Sequence, residues 1–220
     1  MLSGRYQIHT GLQHGVILGL EPYGMPLDDI LMPQVFKNCG YDTHIVGKWH
    51  LGFYRPEYLP ENRGFDSHYG YLIGAEGHFN HSQCIEGACG VDFREAGKST
   101  NETYGEYNAD LFAARVEKLV KDHDFDTPMY MYAALQNVHY PLEAPEEYVE
   151  KYKWIKDSNR RHYAAMTAAL DVTVGRIISA FKARNAWDDT IVLTPFLIGR
   201  THFCTTNLVI LRSGSIIFTL

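Results

Sequence analysis

Apolar positions recur with a helical period over two long stretches of the chain. In residues 108–123, Leu111, Phe112, Val116, Leu119 and Val120 fall on one stripe, while Lys118, Lys121 and Asp122 lie off it. That pattern predicts an amphipathic helix. In residues 159–185, Tyr163, Met166, Leu170, Val174, Ile177 and Phe181 recur at steps of three and four. This stripe reads as core, and Asp171 beside it reads as paired or capping. Residues 128–135 (P-M-Y-M-Y-A-A-L) are apolar without alternation, as in a strand buried on both faces. Residues 41–48 and 189–194 predict two further strands. Leu27-Asp28-Asp29 opens a shorter helix with Asp28 as N-cap, and Gly40 stands where a terminal glycine would end it. Helices alternating with strands predict an α/β layered domain.

Other stretches lack such periods. Residues 4–26 are rich in Gly, His and Pro and read as turns around a short apolar run at 16–20. Residues 53–99 are punctuated by Gly and Pro and read as a long loop with one short buried segment at 69–73. From Thr190 to Leu220 there is no Asp, Glu or Lys, and the last fifteen residues show neither a helical stripe nor clean alternation. They read either as a buried or partner-bound strand pair or as residues foreign to the fold. The second reading is favoured, which gives a domain over 1–194 and a divergent tail over 195–220.

Composition narrows the function classes. The 220 residues are 45% hydrophobic and 21% charged, an ordinary globular profile with enough chain for a substantial core. A net charge of −6 without a basic run argues against a nucleic-acid partner. No apolar run looks long enough to span a bilayer, and the N-terminus lacks a secretory leader. Two sequons, at Asn80 and Asn101, have meaning only in a secretory protein. Cys84 and Cys89 are close enough for a local disulfide, while Cys39 and Cys204 stand apart. His78, His81, Cys84 and Cys89 also form a spaced set that could ligate zinc, although no second ligand pair accompanies it.

The candidate chemistry lies past two strand ends. Gly47-Lys48-Trp49-His50-Leu51-Gly52 would put Lys48 and His50 two residues apart on extended backbone, and so on one face. A cation beside an imidazole suits an anionic substrate that exchanges a proton. The plain alternative is a surface lysine, a packed Trp49 and a hydrogen-bonded histidine. His139 follows the 128–135 strand through Gln136-Asn137-Val138, where open α/β sheets place their ligands.

Several segments carry a resemblance, in order along the chain. They are Ser3-Gly4-Arg5-Tyr6-Gln7-Ile8-His9-Thr10-Gly11-Leu12-Gln13-His14, then Gly40-Tyr41-Asp42-Thr43-His44-Ile45-Val46-Gly47-Lys48-Trp49-His50-Leu51-Gly52. Arg63-Gly64-Phe65-Asp66, Ala134-Leu135-Gln136-Asn137-Val138-His139 and Pro145-Glu146-Glu147-Tyr148 follow. On these segments the chain resembles the sulfatases, most closely their arylsulfatase B-like branch, over residues 2 to about 194. The resemblance implies an alkaline-phosphatase-like α/β fold, here incomplete. It implies hydrolysis of sulfate esters, with sulfated glycosaminoglycans (N-acetylgalactosamine 4-sulfate) as substrate, in a lysosomal or secreted enzyme. Lys48 and His139 would bind sulfate, His50 would orient the nucleophile, and His139 would protonate the leaving group.

The same resemblance implies a calcium ion and a formylglycine made from cysteine in a C-x-P-S-R element. That element would precede Leu2-Ser3-Gly4-Arg5, and the Asp-Asn pair that would follow the 190–194 strand is replaced by Pro195-Phe196. The expectation is a chain that keeps three polar site residues, has no assigned metal ligand, lacks turnover and is marginally stable.

Overall fold

The computed structural model describes residues 1–85, 87–194 and 206–212. Its centre is a seven-stranded sheet. The strands in chain order are β1 (Asp42–Lys48), β2 (Ser67–Tyr71), β3 (Ser82–Ile85), β4 (Ala88–Val91), β5 (Arg94–Glu95), β6 (Lys98–Ser99), β7 (Met129–Leu135), β8 (Thr190–Leu193) and β9 (Thr206–Arg212). The sheet runs β6-β5-β2-β1-β7-β9-β8, and β3 with β4 form a separate hairpin. β2, β1 and β7 are parallel neighbours, whereas β5, β6 and β9 join antiparallel. The helices are α1 (Met32–Asn38), α2 (Asn108–Asp122), α3 (Glu146–Lys151) and α4 (Ser158–Ala183). This is the expected α/β layering.

β7 shows why its sequence is apolar without alternation. Met129, Met131, Ala133 and Leu135 pack into the core that holds Phe112 and Val116 of α2 and Ile177 and Phe181 of α4. Tyr130, Tyr132 and Ala134 pack on the other face with Leu31, Trp49 and Phe65. A strand covered on both sides has no position left for a polar residue. α4 is by length and composition apolar enough to cross a membrane. Its Ala165, Met166, Ala169, Thr173, Ile177 and Phe181 are buried, and Arg176 pairs with Glu117 and Asp110 of α2, so it is a core helix of this domain. Asp171 is exposed on it, neither pairing nor capping among the described residues.

Two expectations change. The first helix starts at Met32, because the carbonyls that would begin it earlier are already used. Buried Arg63 donates to the carbonyls of Met25, Pro26 and Asp29 at 2.9, 3.1 and 2.8 Å, and Arg5 pairs with the Asp29 side chain. Gln34 then accepts the Leu31 N–H at 2.8 Å, and Pro33 sits in the first turn, where its missing N–H costs nothing. Gly40, at φ +82°, ends the helix region as expected. Second, residues 53–99 hold five short strands, of which β2 is the central one. The short buried segment expected at 69–73 begins inside that strand, whose one glycine, Gly70, lets it approach β1 closely. Within the divergent tail expected over 195–220, residues 206–212 form β9, which lies between β7 and β8 with Leu208, Val209 and Ile210 buried. The rest of the tail, Cys204 included, lies outside the described residues.

The parallel strands pinch together at two glycines. A Cβ on Gly47 would stand 2.1 Å from the Ala134 carbonyl oxygen of β7, and one on Gly70 would stand 2.1 Å from the carbonyl oxygen of Gly47. Gly47 also has φ +106°, a conformation that L side chains rarely adopt. Gly47→Ala is therefore expected to destabilise the chain by about 3 kcal/mol or more, since the β7 backbone at Ala134 would have to move and the positive φ would be strained. Urea unfolding of the two proteins checks this; equal midpoints would contradict the pinch.

Candidate functional site

β1 delivers Lys48 and His50 from the pinch. Lys48 is the last strand residue and lies opposite Tyr71 in the β1–β2 register. Pairing continues past the strand, with Trp49 N–H donating to Tyr71 O at 2.9 Å and His50 N–H to Leu72 O at 3.0 Å. Trp49 is 4% exposed; it meets Phe65 edge-on, and its indole N–H donates to the Gly52 and Tyr58 carbonyls. It is a packing peg. His50 departs from the expected extended backbone, with φ +53°. The same-face argument from strand alternation therefore fails at His50. The two side chains still share one region, because the Lys48 charge is among the causes lowering the His50 pKa.

The His50 ring is held from two sides. Its Nε2–H donates to the Ile17 carbonyl at 2.8 Å, which makes Nδ1 the nitrogen with the lone pair. Gly74 passes beside the ring so closely that a Cβ there would lie 2.7 Å from Cε1. Burial, then the Lys48 charge, push the His50 pKa down to about 4. Burial likewise lowers Lys48 from 10.5 to about 8, and among the described residues no carboxylate pairs with it. A half-buried cation without a counter-ion is an unsatisfied demand for an anion.

His139 arrives from β7. Its N–H donates to Gln136 O at 2.8 Å, and its Nδ1–H donates to the Tyr140 carbonyl at 2.7 Å. In the neutral ring Nε2 is then the nitrogen with the lone pair. Burial is the main cause of its lowered pKa, and the Lys48 charge contributes, so His139 also belongs to the Lys48 region. Near neutral pH this arrangement is one cation between two neutral, oriented imidazoles. It can hold a tetrahedral oxyanion and pass a proton.

The remaining candidates separate from this site. Cys84 and Cys89 face each other across the β3–β4 hairpin and are bonded. His78 and His81 turn away into hydrogen bonds with Asn108 and the Thr103 carbonyl. The zinc reading is thereby corrected, since both sulfurs are consumed and the imidazoles face other partners. Asn80 and Asn101 are exposed. Among the described residues no three His, Cys, Asp or Glu side chains gather as a metal site. The residues described thus do not fit the calcium that the resemblance implies. Nor do they fit a formylglycine, because Cys39 is exposed on the α1 side and Cys84 and Cys89 are bonded.

Sequence reasoning missed the polar residues behind His139. Glu76, His78, Asn108 and Gln136 are all 0% exposed. The histidine was read as a zinc candidate and Asn108 only as a helix start. Burial raises the Glu76 pKa to about 7. Four polar residues clustered near two strand ends were the available signal, but their contact spans some sixty residues of chain and has no local spacing.

Comparison with known proteins follows the same lines. A family model described as Sulfatase matches residues 1–194. The chain is 41% identical over 194 residues to arylsulfatase J of Mus musculus, covering 87% of this chain and 32% of that protein. It is 27% identical over 206 residues to N-acetylgalactosamine-6-sulfatase of Mus musculus, covering 87% of this chain and 38% of that one. Among solved structures, Ps i-CgsB in complex with k-i-k-neocarrahexaose superposes with a TM-score of 0.77 at 26% identity, over 94% of this chain and 53% of the other. The chain therefore spans well under two thirds of the length of each of these proteins.

Because Lys48 depresses His50, Lys48→Met is expected to raise the His50 midpoint from about 4 toward the ordinary histidine value. Histidine NMR titration of both proteins reads this; an unmoved His50 midpoint would place Lys48 elsewhere.

Proposed function

The chain belongs to the sulfatase family, and on that premise we propose that Lys48, His50 and His139 form the sulfate-holding part of a sulfuric ester hydrolase site. The observation that carries this is Lys48, a half-buried ammonium with no carboxylate partner among the described residues, whose charge acts on the imidazoles of both His50 and His139 past the ends of parallel strands. Lys48 supplies charge to the sulfate oxygens, as a site that stabilises developing negative charge requires. His139 binds sulfate and hands a proton to the leaving oxygen through Nε2. His50, with its Nε2–H committed to Ile17, offers Nδ1 to orient an attacking hydroxyl.

The substrate class proposed is a sulfated sugar, with the 4-sulfate of N-acetylgalactosamine in glycosaminoglycans as the specific reading and an arylsulfatase B-like specificity. The 4-sulfate reading rests on the segments quoted above; the relatives named N-acetylgalactosamine-6-sulfatase support a sulfated galactosamine but carry the 6-sulfate in their name. Calcium and formylglycine belong to that reading as the groups the sulfatase family generally uses. The described residues supply groups for binding and proton transfer but no nucleophile. For the 220-residue polypeptide we therefore expect sulfate-ester binding without turnover.

Lys48→Ala is expected to weaken binding of an aryl sulfate about tenfold or more, the scale of one lost charge-assisted contact. Binding should also fall as pH rises through about 8, because Lys48 loses its proton there. Calorimetric titration between pH 6 and about pH 10, within the lysine range, measures both. Affinity that is flat with pH and indifferent to Lys48 would sink the reading. Measurable hydrolysis of a chromogenic aryl sulfate, abolished by His139→Ala, would overturn the expected lack of turnover.

A lysosomal or secreted location is proposed with it, on the exposed sequons at Asn80 and Asn101 and the Cys84–Cys89 bond. Expression through a secretory pathway should yield a glycosidase-sensitive mobility shift, lost in the double variant Asn80→Gln, Asn101→Gln. A glycosidase-insensitive product would remove this support.

A further inference from the structure

Apart from the residues proposed to hold sulfate, Glu76 and His81 form a second buried pair of titratable side chains. Their side chains are 0% and 1% exposed, and Glu76 Oε1 lies 3.4 Å from His81 Nδ1. The far nitrogen of His81 settles where the first ring proton sits. Nε2 meets the backbone carbonyl of Thr103 at 3.0 Å, and a carbonyl oxygen only accepts, so Nε2 carries a hydrogen. In the neutral ring Nδ1 is then a bare lone pair, and it faces a carboxylate oxygen. Neither Glu76 oxygen and not His81 Nδ1 has a hydrogen-bond partner among the described residues. Two acceptors buried face to face, one of them on an anion, are costly. One further proton between Oε1 and Nδ1 turns that conflict into an attraction, whether it rests on the carboxyl or on the ring.

The surroundings favour keeping that proton. Tyr69 and Tyr71 face the pair from β2, and burial, with the Glu76 charge contributing, raises both phenols. Asp92, between β4 and β5, accepts the Leu72 and Ile73 N–H groups at 2.8 Å and holds Arg94 at 3.1 Å, so that guanidinium is already committed. Asn108 of α2 is uncharged, and His78 in the same segment is bonded to it. Burial is the main cause that raises Glu76 from 4.5 to about 7; His81 opposes it and the Asp92 charge adds to it. The fold therefore favours the protonated carboxyl. That contribution to stability is present below the ordinary carboxylate range and is lost as pH rises through about 7.

The pair closes a segment that backs both imidazoles of the site. Gly77 N–H donates to Ser82 O and His81 N–H to Gly77 O, each at 2.9 Å, which turns His81 inward. At the other end Gly74 lies against the His50 ring. Between them Gln136 donates to the Glu76 carbonyl at 2.6 Å, and Gln136 O holds the His139 N–H. We propose that Glu76 and His81 form a one-proton latch: while a proton lies between Oε1 and Nδ1, segment 74–81 stays seated behind His50 and His139, and loss of that proton at alkaline pH releases it. A carboxylate left bare in this position is relieved by water, and water reaches it when the segment lifts. The consequence for sulfate binding rests on the reading that His50 and His139 hold sulfate; the latch itself does not.

The experiment is amide hydrogen exchange of the wild-type 220-residue chain without ligand, at about pH 6 and about pH 8.5, corrected for the intrinsic effect of pH on exchange. The latch predicts that protection of the Gly77, His78 and His81 amides falls about tenfold or more at the higher pH, while that of α4 changes by less than about threefold. In Glu76→Gln, whose side chain keeps the shape and stays neutral, the three amides hold their protection at both pH values. Unchanged protection in the wild type, a fall shared equally by α4, or the same fall in Glu76→Gln would overturn the latch. Should the variant not fold, the carbon-13 resonance of the Glu76 carboxyl decides. A midpoint near 7 supports the latch; a midpoint in the ordinary carboxylate range, or no titration up to about pH 9, overturns it. Lys48→Ala and His139→Ala, with 4-nitrophenyl sulfate as the probe, test the functional reading by itself. If both leave affinity unchanged, that reading fails, and the ligand-free exchange still decides the latch.

Discussion

The site depends on how closely three parallel strands approach at Gly47. With no Cβ there, the Ala134 carbonyl of β7 moves into the space a side chain would take, and Gly70 lets β2 do the same against Gly47. Hydrogen-bonded parallel neighbours normally leave room for side chains on both faces. The pinch removes that room at one level of the sheet, just before the chains leave it. Lys48 and His50 emerge from β1 at this level. The turn carrying His139 begins two residues beyond Ala134. The glycines therefore set the spacing of the polar residues without touching them, and the register of β1 with β7 and β2 fixes which residues meet.

The electrostatic cost of this placement is large for a domain of this size. Lowering the Lys48 pKa from 10.5 to about 8 penalises its charged form by roughly 3 kcal/mol. The sign is that of a depressed cation. The penalty is fully present below about pH 8 and disappears as pH rises from there to the unfolded value, where neither state binds the proton. An anion seated against Lys48 offsets the same penalty at neutral pH, so the site is tuned toward occupancy. His50 and His139 stay neutral beside it for the complementary reason, since burial and the Lys48 charge both oppose a second cation. The arrangement separates roles by environment, with one fixed charge and two proton-exchanging rings.

Legibility in the sequence followed locality. The stripes of α2 and α4 and the apolar run of β7 depend on neighbours three, four or two residues away, and they were read almost to their ends. The motif around Lys48 and the turn to His139 were visible because each sits just past a strand. The start of α1 was misplaced because Arg63, more than thirty residues on, takes the carbonyls that would have opened it. β2 was hidden because the glycine that permits the pinch also breaks the strand pattern. His78 was misread because two histidines and two cysteines at short spacing look like ligands until the hairpin joins the sulfurs. Gln136 and Asn108 gave no local signal at all, since their meeting is a property of the sheet order.

The end of the chain shows what the sheet requires of whatever fills it. The family match ends at residue 194, yet among the described residues β8 joins the sheet through β9, which pairs with β7 on one side and β8 on the other. β9 runs antiparallel beside a parallel core, with Leu208 and Ile210 on the α2–α4 face and Val209 on the other. Alternation of that kind is what a doubly covered position demands, whatever the direction of the strand. The position between β7 and β8 selects for apolar residues on both faces, and Leu208, Val209 and Ile210 meet that condition. The same apolar character that made the tail look foreign to the fold is what lets it take a central place in the sheet.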